Sequence, residues 1–156
     1  MKKHVSLVRL ALPFLLALML VTSFGAQPSK ASAQEKSLYD RLGGYNAVAA
    51  VVDDFIGRLA TDKRFERFFS GHSKDSLKRI RQHIVDQLCM AAGGPCAYTG
   101  RTMKDSHEGL GISEDDWKAA VDHLVASLDK FKVGKREKDD LLAAVSKFKA
   151  DIVEKK

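Results

Sequence analysis

The stretch Gly93-Gly94-Pro95-Cys96-Ala97-Tyr98-Thr99-Gly100-Arg101-Thr102-Met103-Lys104-Asp105-Ser106-His107-Glu108-Gly109-Leu110-Gly111-Ile112 interrupts an otherwise helical sequence. It opens with Gly93-Gly94-Pro95 and Gly100, which stop helices because proline has no amide hydrogen and glycine loses the most freedom on ordering. A brief helical turn around Met103 to His107 follows, and Gly109 and Gly111 break the chain again. His107 therefore stands alone on a short segment between two longer helices.

Working outward, the chain reads as helix on both sides. Leu38 to Leu42 predicts one short turn, stopped by Gly43-Gly44. Val48, Val51, Val52, Phe55, Ile56 and Leu59 then step by three and one, the apolar face of an amphipathic helix that fades at Thr61-Asp62. A short turn through Phe65, Phe68 and Phe69 and a polar loop from Ser70 to Lys74 come next. A second long helix is predicted from about Asp75 to Ala92, with Leu77, Ile80, Ile84 and Leu88 as its stripe. Beyond the broken stretch, Ser113 caps a third helix whose first turn carries Glu114, Asp115 and Asp116, where the helix dipole favours acids. Its stripe is Trp117, Ala120, Val121, Leu124, Leu128 and Phe131, and Gly134 is expected to end it. The last helix, from about Lys135, carries Leu141, Leu142, Val145, Phe148 and Ile152. No period-2 strand pattern occurs, so the fold class is all-α, with four substantial helices and no internal repeat.

The first quarter of the 156-residue chain reads differently. Lys2, Lys3 and Arg9 precede an apolar run from Leu10 to Phe24, and Ala31-Ser32-Ala33 offers a small-x-small cleavage site. A spanning helix needs about 20 apolar residues, and this run is shorter. Residues 1–33 are accordingly expected to be a secretory signal peptide, with an uncleaved anchor as the alternative. Residues 34–156 form the mature domain, exported to the periplasm or secreted, without stable membrane insertion after cleavage. The leader holds Lys2, Lys3, Arg9 and Lys30 and no acid, so its removal takes four charges from the formal +6. A nucleic-acid partner inferred from net charge loses most of its support.

Cys89 and Cys96 are the only cysteines, and both fall in the exported part. An even pair so close together suits a disulfide in an oxidising compartment, with Gly93-Gly94-Pro95 turning the chain back. Two unpaired thiols are the alternative. The C-x-x-C-H attachment pattern for covalent haem is absent. A lone imidazole is enough to hold a haem iron when a porphyrin supplies four nitrogens, which makes haem the metal group that suits His107. The bland alternative is a loop histidine capping a helix end. Adjacent acids at Asp53-Asp54 and Asp139-Asp140 point in different directions on a helix and suit solvated faces. No serine–histidine or cysteine–histidine nucleophile set and no phosphate loop stands out.

In their order and spacing, the pieces resemble the truncated haemoglobins, most closely group I. Leu38-Tyr39-Asp40-Arg41-Leu42-Gly43-Gly44 matches that family's opening motif, and Phe68-Phe69-Ser70-Gly71 matches its phenylalanine pair before the distal helix. Gly93-Gly94-Pro95, Tyr98-Thr99-Gly100, Met103-Lys104 and His107 match its proximal segment. The resemblance covers residues 37–153 and implies a truncated globin fold, a two-over-two helical sandwich with the proximal helix reduced to a turn. It further implies haem b, bound non-covalently by His107, with Phe69 and Phe55 packed against the porphyrin. Met103 belongs to the same proximal segment, and Arg101 and Lys104 are placed to pair with a haem propionate.

The distal side departs from the family pattern. Where group I members usually carry a tyrosine after the phenylalanine matching Phe55, this chain has Ile56. Counting back from Gly93-Gly94 puts Ile80 and Ile84 where glutamine often assists that tyrosine. Counting forward from Phe68-Phe69 points instead to Leu77 and Arg81, so the loop near Gly71 to Asp75 is longer here. The backward count is preferred because it places Ile80 and Ile84 one turn apart on the apolar stripe. The distal pocket is then dry. A buried donor contributes about 1–3 kcal/mol to a charge-assisted bond with dioxygen, so its lack argues against a tight oxygen store.

His83 matches the position from which some family members supply a sixth iron ligand; the alternative is a surface histidine among Arg81, Gln82 and Asp86. His72 and His123 read as a solvated and a boundary histidine. Three functions follow from the sequence. One is a protein that binds O2, NO or CO, with NO detoxification fed by an unidentified electron donor. Another is a bis-histidine haem protein for electron transfer or redox and ligand sensing. The third is a haemless helical interaction module.

Overall fold

The computed structural model describes residues 35–155. The expected signal peptide lies outside the described residues. Among the described residues eight helices follow one another: α1 (Leu38–Leu42), α2 (Gly44–Thr61), α3 (Glu66–Phe69), α4 (Lys74–Ala91), α5 (Met103–His107), α6 (Glu114–Lys130), α7 (Lys135–Ser146) and α8 (Lys149–Ile152). Among the described residues there is no strand; one isolated bridge pairs Ser113 with Lys155. No described helix is long and apolar enough to cross a membrane.

The long helices pack around α2, which lies against both α4 and α6, while α7 meets α4 and α6. Val48, Val51 and Val52 of α2, Val85 and Leu88 of α4, Leu124 and Leu128 of α6 and Leu141 of α7 form one buried cluster. Val52, Val85 and Leu128 lose all solvent contact. Each such side chain stabilises the fold by about 1.5–3 kcal/mol relative to staying exposed. Val85, one step off the predicted stripe, sits deeper than Ile80 or Ile84, which are only half-buried. The deepest face of α4 therefore runs through Val85 and Leu88, and of the predicted stripe only Leu88 is buried in the core.

Polar ties fix how the helices meet. Asp54 of α2 accepts hydrogen bonds from Arg58 (2.7 Å), from the Ser127 hydroxyl (2.9 Å) and from Lys130 (2.5 Å) on α6. The Lys130 and Arg58 donors hold its carboxyl well below the usual carboxylate range. Arg41 on α1 reaches Glu137 (3.0 Å) and Asp140 (2.5 Å) on α7. Ser113 and Asp116 form a reciprocal cap at the start of α6, and Arg67 from α3 adds an ion pair to Asp116 at 2.8 Å.

Two helix ends differ from the sequence expectation. Helix α6 stops at Lys130 rather than running to Gly134. Lys132 takes φ 56°, its N–H donates to the Asp129 carbonyl (2.9 Å), and the Val133 N–H donates to the Leu128 carbonyl (3.0 Å). That pattern closes a helix with a lysine in the place glycine usually takes. Phe131, expected in the buried stripe, is consequently exposed at 42%. The predicted last helix is also broken, at Lys147 and Phe148, into α7 and α8, and of α7 only Leu141 is buried.

Candidate functional site

The site is organised around α5. Thr102 caps it, its hydroxyl accepting the Asp105 N–H at 3.0 Å. Before the cap, the Tyr98 hydroxyl donates to the Arg101 carbonyl at 2.6 Å, and the Ser106 hydroxyl reaches the same carbonyl at 3.3 Å. His107, at the last position of α5, is half-buried. Its Nδ1 lies 2.7 Å from the Met103 carbonyl. A carbonyl only accepts, so Nδ1 carries the hydrogen and Nε2 keeps its lone pair for another partner. The backbone of Met103 thus orients the imidazole as outer partners orient metal-binding histidines.

The loop leading to α5 is anchored upstream. The sulfurs of Cys89 and Cys96 are bonded, with their Cα atoms 5.8 Å apart. Cys89 is fully buried at the end of α4, so the bridge ties the loop to the helix opposite. The Gly94 N–H donates to the Cys89 carbonyl (2.8 Å), and the Tyr39 N–H donates to the Ala92 carbonyl (2.8 Å). A Cβ at Gly94 would stand 2.5 Å from the Tyr39 ring and 2.7 Å from the Cys89 sulfur, so only glycine fits there.

Across the site, α4 carries Ile80, His83 and Ile84, all half-buried. The His83 ring meets Tyr98 edge-on, with centroids 5.8 Å apart, so the α4 wall and the α5 loop touch through this pair. The His83 Nδ1 is buried without a hydrogen-bond partner. Such an orphaned polar atom costs free energy unless something completes it. The rest of the residue stays partly exposed. Neighbouring residues on α4 are committed elsewhere: Arg81 forks onto Asp53 of α2 at 2.7 and 2.8 Å, and Gln82 donates to the Tyr45 hydroxyl and to Asp86, both at 2.9 Å. The Arg81 guanidinium beside Asp53 holds that carboxyl below its ordinary value.

Phe55 and Ile56 on α2 are half-buried and rest against the core, and Phe69 on α3 is half-buried. Met103 is half-buried, whereas Arg101 and Lys104 are exposed and make no ion pair among the described residues. His72 contacts the Ser76 hydroxyl through Nδ1 at 3.1 Å, and His123 is bound to Asp62 at 2.9 Å. Neither belongs to the site. Tyr98 as a wall against His83, and the Met103 carbonyl as the orienting group for His107, were absent from the sequence reading. A backbone acceptor has no residue signature, though its i−4 spacing from a terminal histidine is a usable hint.

These features fit a flat iron–porphyrin. Among the described residues no group of three or more histidines, cysteines or carboxylates gathers to hold a metal ion, so a metal here depends on one imidazole and a ligand that brings its own donors. His107 presents a free Nε2, and partly covered apolar side chains stand on α2 (Phe55), α3 (Phe69) and α4 (Ile80, Ile84). A separate cavity of about 140 Å³, lined among others by Leu42, Val51, Leu128 and Leu141, shares no lining residue with this site.

An all-helical chain with one oriented histidine on a one-turn helix, between a distal helix and a further helical pair, is the arrangement of a shortened globin. The bacterial-like globin family matches residues 37–154. The group 1 truncated haemoglobin GlbN of Mycolicibacterium paratuberculosis is 32% identical over 120 residues, covering 77% of this chain and 86% of the relative. Among solved structures, the truncated haemoglobin of Tetrahymena pyriformis in its Fe(III) form superposes with a TM-score of 0.71 at 26% identity, covering 77% of this chain and all of the other. A 2/2 haemoglobin from Synechococcus, solved in the cyanomet state with covalently attached haem, gives 0.69 at 29% identity over 76% and 98% of the two chains. The chain belongs to the bacterial-like globins, and within them to the group 1 truncated haemoglobins.

Proposed function

We propose that this chain is a haem protein that binds diatomic gases (O2, NO or CO) at an iron held by His107. The observation that carries the reading is the His107 Nδ1–Met103 carbonyl bond, which leaves Nε2 as the only free ring nitrogen. Bound haem would supply an iron able to take a diatomic gas, with the His107 imidazole as its protein ligand. On the proximal side, His107 holds the group while Arg101 and Lys104, exposed and unpaired among the described residues, are placed to meet its propionates. Across from them Ile56, Ile80 and Ile84 exclude water and offer no hydrogen bond. Dioxygen is then released quickly relative to carbon monoxide and nitric oxide, which depend less on such a bond.

The group is haem b, held without a covalent link: C-x-x-C-H is absent and both cysteines are consumed by their disulfide. Acid–acetone extraction checks this, since free haem should leave the protein entirely. Nitric oxide detoxification to nitrate from NO and dioxygen takes one electron per turnover, so it requires an electron donor. Export to the periplasm or beyond is supported by the leader-like sequence and by a disulfide, which persists in oxidising compartments.

A second reading has its own observation. The orphaned His83 Nδ1 favours an imidazole with work to do inside the site, and bis-histidine ligation with His107 would suit electron transfer or gated ligand binding. Absorption spectra of the purified mature protein, oxidised and reduced, with and without carbon monoxide, test both. One Soret band per chain that shifts with carbon monoxide is expected. Split low-spin visible bands in the ferrous state favour His83 ligation, a high-spin five-coordinate spectrum rules it out, and no Soret band with excess haemin contradicts both readings.

A further inference from the structure

Helix α5 buries none of its five residues. Isolated helices below about 12–15 residues are marginal even with favourable sequences, so something outside it must hold His107 in place. The front is secured by the Thr102 cap and the tied loop before it. The back is secured differently. After His107 the chain passes through Gly109 (φ 79°) and Gly111 (φ 63°), both in the left-handed region that favours glycine. Alternating hands turn their N–H groups to one side, making a concave anion seat of the kind backbone amides form in turns.

The side chain of Glu154 fills that seat. Its Oε1 accepts the Gly109 N–H at 2.6 Å and its Oε2 accepts the Gly111 N–H at 2.5 Å. The Glu154 and Lys155 N–H groups both donate to the Ile112 carbonyl (2.9 and 3.1 Å), and the Glu114 N–H donates to the Lys155 carbonyl (3.2 Å). Segment 153–155, just past α8, is thereby stitched to the loop behind the histidine, and α5 and α8 are neighbours. The Gly109 and Gly111 amides hold the Glu154 carboxyl below its ordinary value, so the acceptor is ionised and both bonds are charge-assisted.

We infer that Glu154 is a positioning residue for the proximal segment: its carboxylate braces Gly109 and Gly111 and so sets where the His107 imidazole stands. The inference rests on His107 being the iron ligand. Nothing in the local sequence signals it, since the brace joins residues 45 positions apart.

The test compares haem-loaded wild type with E154A, E154Q and H107A. Three quantities are followed: amide hydrogen exchange at Gly109 and Gly111, the rate of haem loss to excess apomyoglobin, and the iron–histidine stretching band of the ferrous protein after photolysis of carbon monoxide. In E154A both glycine amides should exchange about tenfold faster or more, haem should leave about tenfold faster, and the stretching band should shift or broaden. E154Q keeps one carbonyl oxygen and should fall between. Core amides at Val52 and Val85 should be unchanged in both, which separates loss of positioning from loss of folding. Faster glycine exchange with unchanged haem loss and an unchanged band overturns the inference, as does unchanged glycine exchange. Retention of haem and band by H107A overturns the His107 reading itself, and the glycine exchange data then report the brace independently.

Discussion

Between Thr102 and Ile112 nearly every turn of backbone is tied by a named polar group, whereas α4 meets the site from Ile80 to Ile84 with apolar side chains and one orphaned imidazole. On the proposed function, the proximal side holds its single iron ligand in one place by hydrogen bonds, a disulfide and a carboxylate brace. The distal side makes no commitment of that kind, because its strongly polar residues Arg81 and Gln82 are spent on α2 and on Asp86. On the proposed function, position is a property of the one face and chemistry toward a gas a property of the other. The two should therefore respond separately to substitution.

The largest separable effect is on the proximal side. Replacing Cys89 and Cys96 together by serine removes a crosslink that closes a short loop, and should lower stability by about 2–3 kcal/mol in denaturant unfolding. Gas kinetics should change little. Altered dioxygen release in that variant, at unchanged haem occupancy, would break the separation between the faces.

Ile56→Tyr tests the opposite face. A hydroxyl placed beside the distal wall should slow dioxygen release by about tenfold or more, the equivalent of about 1–3 kcal/mol, while carbon monoxide release moves far less. Stopped-flow displacement of dioxygen by carbon monoxide measures it. Equal slowing of both gases would indicate simple blocking rather than a missing donor.

Smaller again is Thr102→Ala, which removes the cap of α5. Loss of such a cap costs about 0.5–2 kcal/mol, and here it should show as faster haem loss with no change in the dioxygen-to-carbon-monoxide preference. Both rates come from one set of transfer and displacement experiments.

A pH effect falls outside both faces and serves as their control. Burial pushes the Asp116 carboxyl up, but the Ser113 N–H and hydroxyl and the Arg67 guanidinium outweigh it and leave it below its ordinary value. A carboxyl depressed in the folded state contributes stability that is present above its unfolded pKa of about 3.9 and is lost as pH falls through the folded value. Acid unfolding followed by helical circular dichroism should therefore steepen below about pH 4, and Asp116→Asn should flatten that slope. A slope unchanged in Asp116→Asn would remove Asp116 from the acid response.

The legible part of this molecule was local. Gly43-Gly44 after Leu42, the stripe of α2, the Ser113 cap and the isolated histidine are all signalled within a few residues. What escaped needed either a conformation a residue rarely takes or a partner far away. Lys132 closes α6 in a left-handed conformation that lysine does not advertise, so Gly134 took the credit for the helix end. Val85 is buried deeper than Ile80 and Ile84 because α4 turns its deepest face toward α2, and that depends on the second helix. The Asp53–Arg81 fork, the Tyr98 contact to His83 and the Glu154 brace all join positions well separated in the chain. Of the candidate site, the isolated histidine was readable and the groups that hold it were not.

The central claim is that His107 alone holds the iron on the proximal side, with the rest of that face arranged to keep its Nε2 in place. Titration of haemin into the haem-free protein and into His107→Ala, followed at the Soret band, tests it most directly. Wild type should saturate at one haem per chain and His107→Ala should show no stoichiometric uptake. Full occupancy with a normal Soret band in His107→Ala would contradict the account.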